Sequence, residues 1–593
     1  MKKITTLLIG ILALASSCED PFELTPTGII SGNIVFADEN LSDAFLSNLY
    51  DNSLFHINSG GTNIEMNLIN SFGGESRNFA PWQSPFGRVI NTDFNETGAG
   101  VIDYWPYALV RESNVYIDGL SNSEKLSKAY TDVRTSEARF IRAFAYFELV
   151  KRFGGVPLLT KAQSIDVTGE ELFVKRNSEK EIYDFIGSEM DAISAVLPSV
   201  ADNDGRISKW TALALKSRAM LYAASVANFG EVQLDGLLGI PKGDANAYYQ
   251  QSMAASNEIM TNGPFSLYRK SADKVDNYIN LFLDENNNPE VILAEKYDQT
   301  AGKSHSWDIT GTPAGFGFAW NSNYPVYLET LENFDFIDGT SGKVDRAMYD
   351  DQTELDPKWF FEQRDPRMRA SIFYPGTEFK GGKVYFHRST DYTDPASGDV
   401  KRSTGSGFII PGSDAWPGAA HPRHRGGNPT GLLVRKRINP ATPDGTGSST
   451  DVIIFRLGEI MLNYIEASFY LGDPNGNMAD ILNGQIRDRA GMPALAAGEI
   501  TEAKIRQERR VELAFEEHVF WDLRRWRTAV QELDNVQRHR THWRYNYDTG
   551  MYTMQMADGD LGRIRLFKER NYYYALGLNR IADNPNLVEN PGY

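Results

Sequence analysis

The side chains best suited to hold a ligand are aromatic residues in polar or turn-rich stretches. The candidates are Trp82 in NFAPWQSP (78–85), Trp307 in SHSWD (304–308), and Trp320, Tyr324 and Tyr327 in GFGFAWNSNYPVY (315–327). A flat indole or phenol ring can cover the apolar face of a sugar, while nearby Asn, Asp or Arg side chains bond its hydroxyl rim. Core packing is the alternative interpretation for each ring, because aromatic side chains are often largely buried.

Acidic residues are numerous, but their pattern does not indicate a catalytic site. Cleavage of a glycosidic bond needs two carboxyl groups about 5–9 Å apart, and 78 Asp and Glu residues supply many chance pairs. The sequence also lacks the G-x-S-x-G motif of a nucleophile elbow. We therefore expect no enzymatic activity, with a glycoside hydrolase as a competing hypothesis.

Two histidine pairs come nearest to a metal-binding pattern. HPRH (421–424) and HRTH (539–542) each place two histidines three residues apart, so that they would share one face of a helix. Both pairs lie in basic segments, and the sequence has neither an HExxH motif nor a second cysteine. We expect no metal and no other cofactor.

The only cysteine, Cys18, ends the stretch MKKITTLLIGILALASSC. Two lysines and about a dozen apolar residues precede it, which is typical of a secretory signal peptide and shorter than the about 20 residues of a transmembrane helix. Small residues before a cysteine resemble a bacterial lipoprotein box, although Ala15 stands where leucine is usual. We predict that residues 1–17 are removed and that Cys18 carries acyl chains, palmitate among them, that hold the protein on a membrane. A free thiol in an ordinary signal peptide is less favoured, because a lone cysteine cannot form an internal disulfide.

The charge balance of the chain is acidic. Lys and Arg number 60 against 78 Asp and Glu, which gives a formal net charge of −18. Binding to nucleic acid relies on Lys and Arg that neutralise phosphates, so we expect no nucleic-acid partner. A polybasic membrane-binding patch is disfavoured for the same reason.

Helical periodicity dominates both ends of the chain and is interrupted in the middle. The strongest helical segments are 39–55, 136–159, 178–198, 208–228, 245–261, 452–472, 478–491 and 502–527. Ser178 stands three residues before Glu181, which is the spacing of a capping box. Gly154 and Gly155 predict the end of the segment before it. Residues 263–450 combine Gly, Pro, Asn and Asp with short β-like pieces.

These segments predict a mainly α fold, in which tetratricopeptide-like helix-pair repeats support an irregular, loop-rich region with short β pieces. The prediction rests on helix spacing, because the repeat signature itself is absent. We expect a signal peptide at 1–17, a lipid-attached tether at 18–34 and a single discontinuous unit at 35–593. Within that unit we expect helical parts at 35–262 and 451–530, an irregular ligand face at 263–450 and an extended C-terminal region at 531–593.

Several motifs, in order along the chain, resemble those of one protein family. They include RFIRAFAYFELVKRFGGVPL (139–158), NPEVI (288–292), RDPR (364–367), FRLGE (455–459), ERRVELAF (508–515), DLRRW (522–526) and NPNLVENPGY (584–593). Together they are similar to the SusD/RagB family, which are outer-membrane nutrient-uptake lipoproteins of the Bacteroidetes type. The resemblance extends from Cys18 to Tyr593.

The resemblance implies four tetratricopeptide-like helix pairs beneath a variable ligand face, and no catalysis. It also implies a partner, a SusC-like TonB-dependent transporter, over which such a lipoprotein sits as a lid. Glu19 and Asp20 are similar to the signal that sends these lipoproteins to the cell surface. Arginines in the helical motifs, such as Arg139, Arg487 and Arg525, are expected to pair with carboxylates of stacked helices rather than to bind an anion.

The combined interpretation is a surface-exposed, lipid-anchored protein of the cell outer membrane that captures an oligosaccharide or polysaccharide and delivers it to the TonB-dependent transporter. One alternative is a peptide-binding member of the same family, which would use backbone hydrogen bonds in place of sugar stacking. The others are a lipid-anchored glycoside hydrolase and a helical scaffold that binds only protein.

Overall fold

The computed structural model describes residues 32–53, 67–77, 102–164, 166–202, 204–317, 322–404, 431–560 and 562–593. The predicted signal peptide, Cys18 and most of the predicted tether lie outside these ranges and stay predictions. The division of the remaining chain into helical, irregular and extended parts also stays a prediction.

The α-helices of the described chain are distributed over its whole length. They are α1 (Gly32–Val35), α2 (Glu39–Asn52), α3 (Leu68–Phe72), α4 (Tyr107–Ser121), α5 (Lys128–Phe153), α6 (Glu179–Ser194), α7 (Lys209–Phe229), α8 (Ala245–Asn262), α9 (Lys274–Leu281), α10 (Trp307–Gly311), α11 (Leu328–Glu332), α12 (Pro366–Ser371), α13 (Leu457–Tyr470), α14 (Met478–Ile481), α15 (Asp488–Ala490), α16 (Glu502–Glu512), α17 (Val519–Arg525), α18 (Ala529–Leu533) and α19 (Leu578–Asp583). Two π-helical turns, Lys358–Glu362 and Leu482–Arg487, accompany them.

The strands are short and come from the middle and the end of the chain. They are β1 (Val291–Glu295), β2 (Ile372–Phe373), β3 (Glu378–Phe379), β4 (Gly382–Lys383), β5 (His387–Thr393), β6 (Val400–Ser403), β7 (Leu433–Val434), β8 (Val452–Arg456), β9 (His539–Asn546) and β10 (Tyr552–Asp558). The largest sheet has four strands in the order β10-β9-β5-β6. Its central pair, β9 and β5, is parallel, and the two outer pairs are antiparallel.

The long helices stack in chain order. Each of α4 to α7 packs against the next helix along the chain, and α8 then packs against α13. Successive packing of neighbouring helices in pairs is the arrangement of tetratricopeptide-like arrays. The predicted mainly α fold, with helix pairs and short β pieces, is confirmed.

Local sequence signals account for the helices of this stack. Ser178 and Glu181 form the predicted capping box at the start of α6, in which the Ser178 N–H donates to the Glu181 carboxylate at 2.7 Å. Helix α7 buries alanines with no exposed surface, Ala212, Ala219 and Ala223 among them. Small side chains let α6 and α8 approach α7 from two sides.

The predicted glycine stop after α5 is confirmed. Gly154 follows the helix with a φ of +70°, a conformation that costs glycine little and other residues more. A Cβ on Gly154 would lie 2.3 Å from Leu238, and one on Gly155 would lie 2.2 Å from the carbonyl oxygen of Asn177. Both positions therefore require glycine, whose lack of a side chain lets the backbone turn sharply here.

One hydrophobic cluster connects the two ends of the described chain. Its buried members extend from Leu46 of α2 to Leu587 near the C-terminus, and they include both stacked helices and residues of the irregular middle. A smaller cluster around Tyr278 lies beside it, between α9 and α12. Burial of this apolar surface is the main stabilising term of the fold.

Buried ion pairs connect elements that are distant in sequence. Glu512, the last residue of α16, has no exposed surface. Its carboxylate accepts hydrogen bonds from Arg367 of α12 at 3.0 Å, from Arg456 of β8 at 2.8 Å, and from Arg489 of α15. Although burial by itself would raise the pKa of Glu512, the three guanidinium charges hold it well below its ordinary value. The carboxylate is therefore ionised and fixes three elements against α16.

Within the described ranges, the helices are either too short or too polar to cross a membrane.

Candidate ligand-binding site

The structure places Trp307 in the core. Its side chain is 1 % exposed, and its indole N–H donates to the carbonyl oxygen of Lys436 at 3.1 Å. The indole is stacked on the Tyr324 ring, with centroids 4.3 Å apart, and the Arg437 guanidinium lies 4.7 Å from its centroid. A sugar has no access to this ring in the structure.

Tyr324 and Tyr327 are also buried, with no exposed surface. The Tyr324 hydroxyl is hydrogen-bonded to Thr310. The Tyr327 hydroxyl donates to the Asp560 carboxylate at 2.5 Å and accepts from Arg565 at 2.8 Å.

For Trp307, Tyr324 and Tyr327 the structure therefore favours core packing over ligand stacking. The turn-rich composition of segment 315–327 suggested exposure, but the described tyrosines of this segment pack into the core. Gly311, at the end of α10, allows this close packing, because a Cβ there would lie 2.9 Å from the Tyr324 ring.

Trp82 and Trp320 lie outside the described residues and stay predictions. Arg77, five residues before Trp82, donates its N–H to the carbonyl oxygen of Pro325 at 2.7 Å. The described chain resumes at Ser322, two residues after Trp320.

Three chain segments meet at this point, which we call the junction (residues 76–77, 325–326 and 432–433). Ser76 bridges Val326, and Pro325 bridges Leu433. The Val326 N–H donates to the carbonyl oxygen of Leu432 at 3.0 Å. The junction is thus a buried, hydrogen-bonded meeting point of three segments that are far apart in the sequence.

Trp359 is an exposed aromatic residue that the sequence analysis missed. It is 40 % exposed, the most of any tryptophan in the described chain. Its ring is stacked on Phe336, with centroids 5.4 Å apart and an interplanar angle of 16°. The neighbouring Phe360 and Phe361 turn inward onto Trp543 of β9. The three adjacent aromatic residues of KWFFE (358–362) are all apolar, so their sequence does not indicate which side chain is exposed to solvent.

The histidines of HRTH lie on strand β9 rather than on a helix. His539 and His542 therefore point to opposite faces of the sheet, and His539 is hydrogen-bonded to Glu329 of α11 at 2.5 Å. Among the residues that the structure describes, no three His, Cys, Asp or Glu side chains are grouped to hold a metal ion. HPRH lies outside those residues.

Comparison with known proteins decides the family. A family model described as the SusD family matches residues 289–593, just over half of the chain. The chain belongs to the SusD family. A second model, described as "Starch-binding associating with outer membrane", matches residues 42–221. The predicted SusD/RagB resemblance is confirmed.

Relatives of this SusD-family chain cover nearly its whole length. SusD-like protein P38 of Formosa agariphila is 22 % identical over 563 residues, which are 90 % of this chain and 93 % of that protein. A crystal structure of a SusD-like protein from Bacteroides fragilis is 22 % identical, has a TM-score of 0.70, and is matched over 94 % of this chain and 98 % of that one. A laminarin-binding SusD-like protein is 20 % identical, with a TM-score of 0.61 over 94 % of this chain and 100 % of that one. The two structures are similar to this chain in fold.

The arginines of the SusD motifs form ion pairs, as predicted. Arg139 contacts Glu189 at 2.7 Å and Arg487 contacts Glu508 at 2.6 Å. Arg525 lies between Glu466 and Asp522 and has 1 % of its side chain exposed. These arginines are engaged in pairs with carboxylates, as expected for a structural role.

A buried polar cavity of about 80 Å³ lies in the core of this SusD-family protein, lined by residues that include Glu148, Lys151, Arg218 and His518. Burial lowers the pKa of Lys151 to about 8 and lowers that of His518 well below its ordinary value. The cavity is too small for a sugar chain, because ligand pockets usually measure about 300–1,000 Å³.

Proposed function

We propose that this SusD-family protein captures an oligosaccharide or polysaccharide at the outer face of the outer membrane and delivers it to a SusC-like TonB-dependent transporter. The junction supports the proposal, because Trp82 follows Arg77 by five residues and Trp320 precedes Pro325 by five. Indole rings can stack on the apolar faces of the sugars of a glycan chain.

The relatives support a carbohydrate as the ligand class. One solved neighbour is named for laminarin binding and another is a SusD-like carbohydrate-binding protein from Bacteroides fragilis. The model that matches residues 42–221 is described by starch binding. Aromatic rings beside polar side chains are the chemistry that such ligands require.

The anchor and the partner complete the proposal. Acyl chains on Cys18 keep the protein at the membrane, and the transporter receives the glycan intact, without cleavage. Delivery requires release, so the affinity is expected in the micromolar to millimolar range, which corresponds to about −8 to −4 kcal/mol.

Electrophoresis of the full-length protein in native gels that contain polysaccharides tests capture. At least one polysaccharide is expected to retard the protein, while a reference protein such as serum albumin keeps its mobility in the same gel. Unchanged mobility in all gels would contradict the proposal.

A reducing-end assay on the same mixtures tests the hydrolase alternative. We expect no new reducing ends, because the proposal contains no catalytic step. A sustained release of reducing ends that scales with protein concentration would favour the hydrolase instead.

A further inference from the structure

The outward face of the four-stranded sheet carries a row of basic side chains. On β9, Thr541 and Trp543 are buried. Because side chains alternate along a strand, Arg540, His542 and Arg544 lie on the opposite face, where all three are partly exposed. The HRTH segment therefore contributes to a surface rather than to the core.

Arg388 of β5 extends this row. His387, the residue before it, is buried and pairs with Trp543 on β9. The pairing of β5 with β9 is irregular between His387 and Ser389, so Arg388 stands at a β-bulge, a feature that re-aims side chains. Unlike His387, Arg388 is partly exposed, and its charge acts on both His542 and Arg540, which places its side chain beside theirs. We call Arg388, Arg540 and His542 the basic cluster.

No carboxylate of the described chain pairs with the basic cluster. On β10, Arg540 and His542 face the uncharged Ala557 and Gln555. Asp558 is the carboxylate whose charge acts on Arg540. Its oxygens instead accept hydrogen bonds from the backbone N–H groups of Asp560 and Gly562.

Nitrogen atoms of the basic cluster are withdrawn from solvent without a hydrogen-bond partner. They are Nε of Arg388, Nε and Nη1 of Arg540, and Nε2 of His542. Buried polar groups in folded proteins are usually paired, because an unpaired one loses its bonds to water and gains nothing. Arginines elsewhere in the described chain also have unpaired Nε atoms, whereas Arg540 adds an unpaired Nη1 and His542 an unpaired Nε2. These two nitrogens, two residues apart on β9, indicate a place for the oxygen atoms of a ligand.

Arg544 shows what an arginine on this face does when it has only a structural role. Its guanidinium lies 3.4 Å from Asp391 and 3.6 Å from Asp351. Its Nε also donates to the hydroxyl of Thr553 at 3.1 Å. Arg544 is thus neutralised two residues from His542, whereas Arg540 on the same strand is not.

Burial and nearby positive charge act in the same direction on the cluster. Burial, together with the charges of Arg388 and Arg540, lowers the pKa of His542 to about 3. Burial and the charges of Arg388 and Arg77 lower the pKa of Arg540 to about 10. A bound anion would offset the repulsion between the positive charges.

We propose that Arg388, Arg540 and His542 bind an anionic substituent of the captured polysaccharide, either a sulfate ester or the carboxylate of a uronic acid. The two arginines supply planar N–H forks that match such oxygens, and His542 supplies a neutral N–H donor. This inference rests on the proposed function and names the substrate class as an acidic glycan.

The cluster is close to the junction. The Arg77 charge acts on Arg540, and Arg77 belongs to the junction, where its guanidinium donates to the carbonyl oxygen of Gly559 at 3.0 Å. An acidic protein with this local excess of positive charge would select charged glycans over neutral ones.

Calorimetric titration of the full-length protein with matched glycan pairs tests the inference. One pair is a carrageenan and its desulfated form, and the other is polygalacturonate and its carboxyl-reduced form. We expect one charged member to bind at least tenfold tighter than its neutral counterpart, with the preference weakening as NaCl rises from 50 to 300 mM. The pair that shows the preference identifies sulfate or carboxylate as the anion.

Two variants assign the preference to the cluster. The double variant Arg388→Gln/Arg540→Gln should bind both members of the pair alike, whereas Arg544→Gln, the matched control, should keep the preference. Equal affinities of the wild type for charged and neutral glycans, or a double variant that behaves like the wild type, would overturn the inference and leave glycan capture standing. Absence of binding to every glycan would overturn capture and the inference together.

Discussion

Glu75 shows how burial sets the behaviour of a single carboxyl group. It lies next to the junction with 5 % of its surface exposed. One of its oxygens accepts the Phe515 N–H at 3.0 Å, and the other has no partner. Burial raises the pKa of Glu75 from 4.5 to about 8, against the smaller opposing effects of the Phe515 N–H and nearby cations. The folded protein therefore holds a neutral carboxyl at pH 7, whereas the unfolded chain does not.

This difference predicts a stability that falls as the pH rises. Between about pH 4.5 and 8 the unfolded state releases the Glu75 proton while the folded state retains it, so unfolding becomes easier across this window. At 1.36 kcal/mol per pKa unit, the effect is at most about 5 kcal/mol. In thermal unfolding, Glu75→Gln should gain a few degrees over the wild type on going from pH 5 to pH 8. The surface variant Glu124→Gln should not, and an identical pH profile for Glu75→Gln and wild type would contradict the account.

The tryptophans separate into structural and ligand-binding positions. Trp307→Ala removes a ring that is 1 % exposed and should cost about 3–5 kcal/mol of stability. Trp82→Ala and Trp320→Ala should each weaken glycan capture about tenfold, or about 1.4 kcal/mol, and leave the melting temperature nearly unchanged. Melting curves and binding titrations of the three variants check this. Unaltered affinity in both Trp82→Ala and Trp320→Ala would refute the stacking assignment.

At the scale of elements, α16 is held in place by charge. Glu512→Ala would leave Arg367, Arg456 and Arg489 buried without this carboxylate, which should cost about 3–5 kcal/mol or prevent folding. Asp132→Ala is the control, because it breaks the Lys128 pair at 2.7 Å, whose side chains are 85 % and 43 % exposed. It should change stability by less than about 0.5 kcal/mol. Equal losses in the two variants, measured by denaturant unfolding, would contradict this view of the network.

Local signals in the sequence predicted elements, but not their long-range pairing. The capping box at Ser178 and the glycine stop at Gly154 depend on a few adjacent residues, so they were predictable. The parallel pairing of β5 with β9 joins segments more than 140 residues apart, and no local pattern indicates it. The basic cluster depends on that pairing, because Arg388 and His542 meet only once the sheet forms.

The solvent exposure of individual aromatic residues could not be predicted from the sequence. Trp307 and Trp359 both follow polar residues in irregular segments, yet one is 1 % and the other 40 % exposed. The amino-acid composition of a segment indicates that its backbone is irregular. Whether its rings face the core or the solvent depends on neighbours that are distant in sequence, such as Arg437 for Trp307 and Phe336 for Trp359.

At the scale of the whole molecule, family motifs spread along the chain made the fold predictable. Arginines of these motifs pair with glutamates of other helices.

The proposed anchor also belongs to the scale of the whole molecule. Cys18→Ala should move the protein from the membrane fraction to the soluble fraction of its own cells, because no acyl chain remains to hold it. Immunoblots of both fractions check this, and a Cys18→Ala protein that stays with the membrane would contradict the proposed anchor.

The most direct test of glycan capture is calorimetric titration of the full-length protein with a panel of oligosaccharides and a matched panel of oligopeptides. The account predicts saturable heats for at least one oligosaccharide, with a Kd between about 1 µM and 1 mM, and none for the peptides. Saturable binding of peptides with no response to any oligosaccharide would contradict it and favour the peptide-binding alternative.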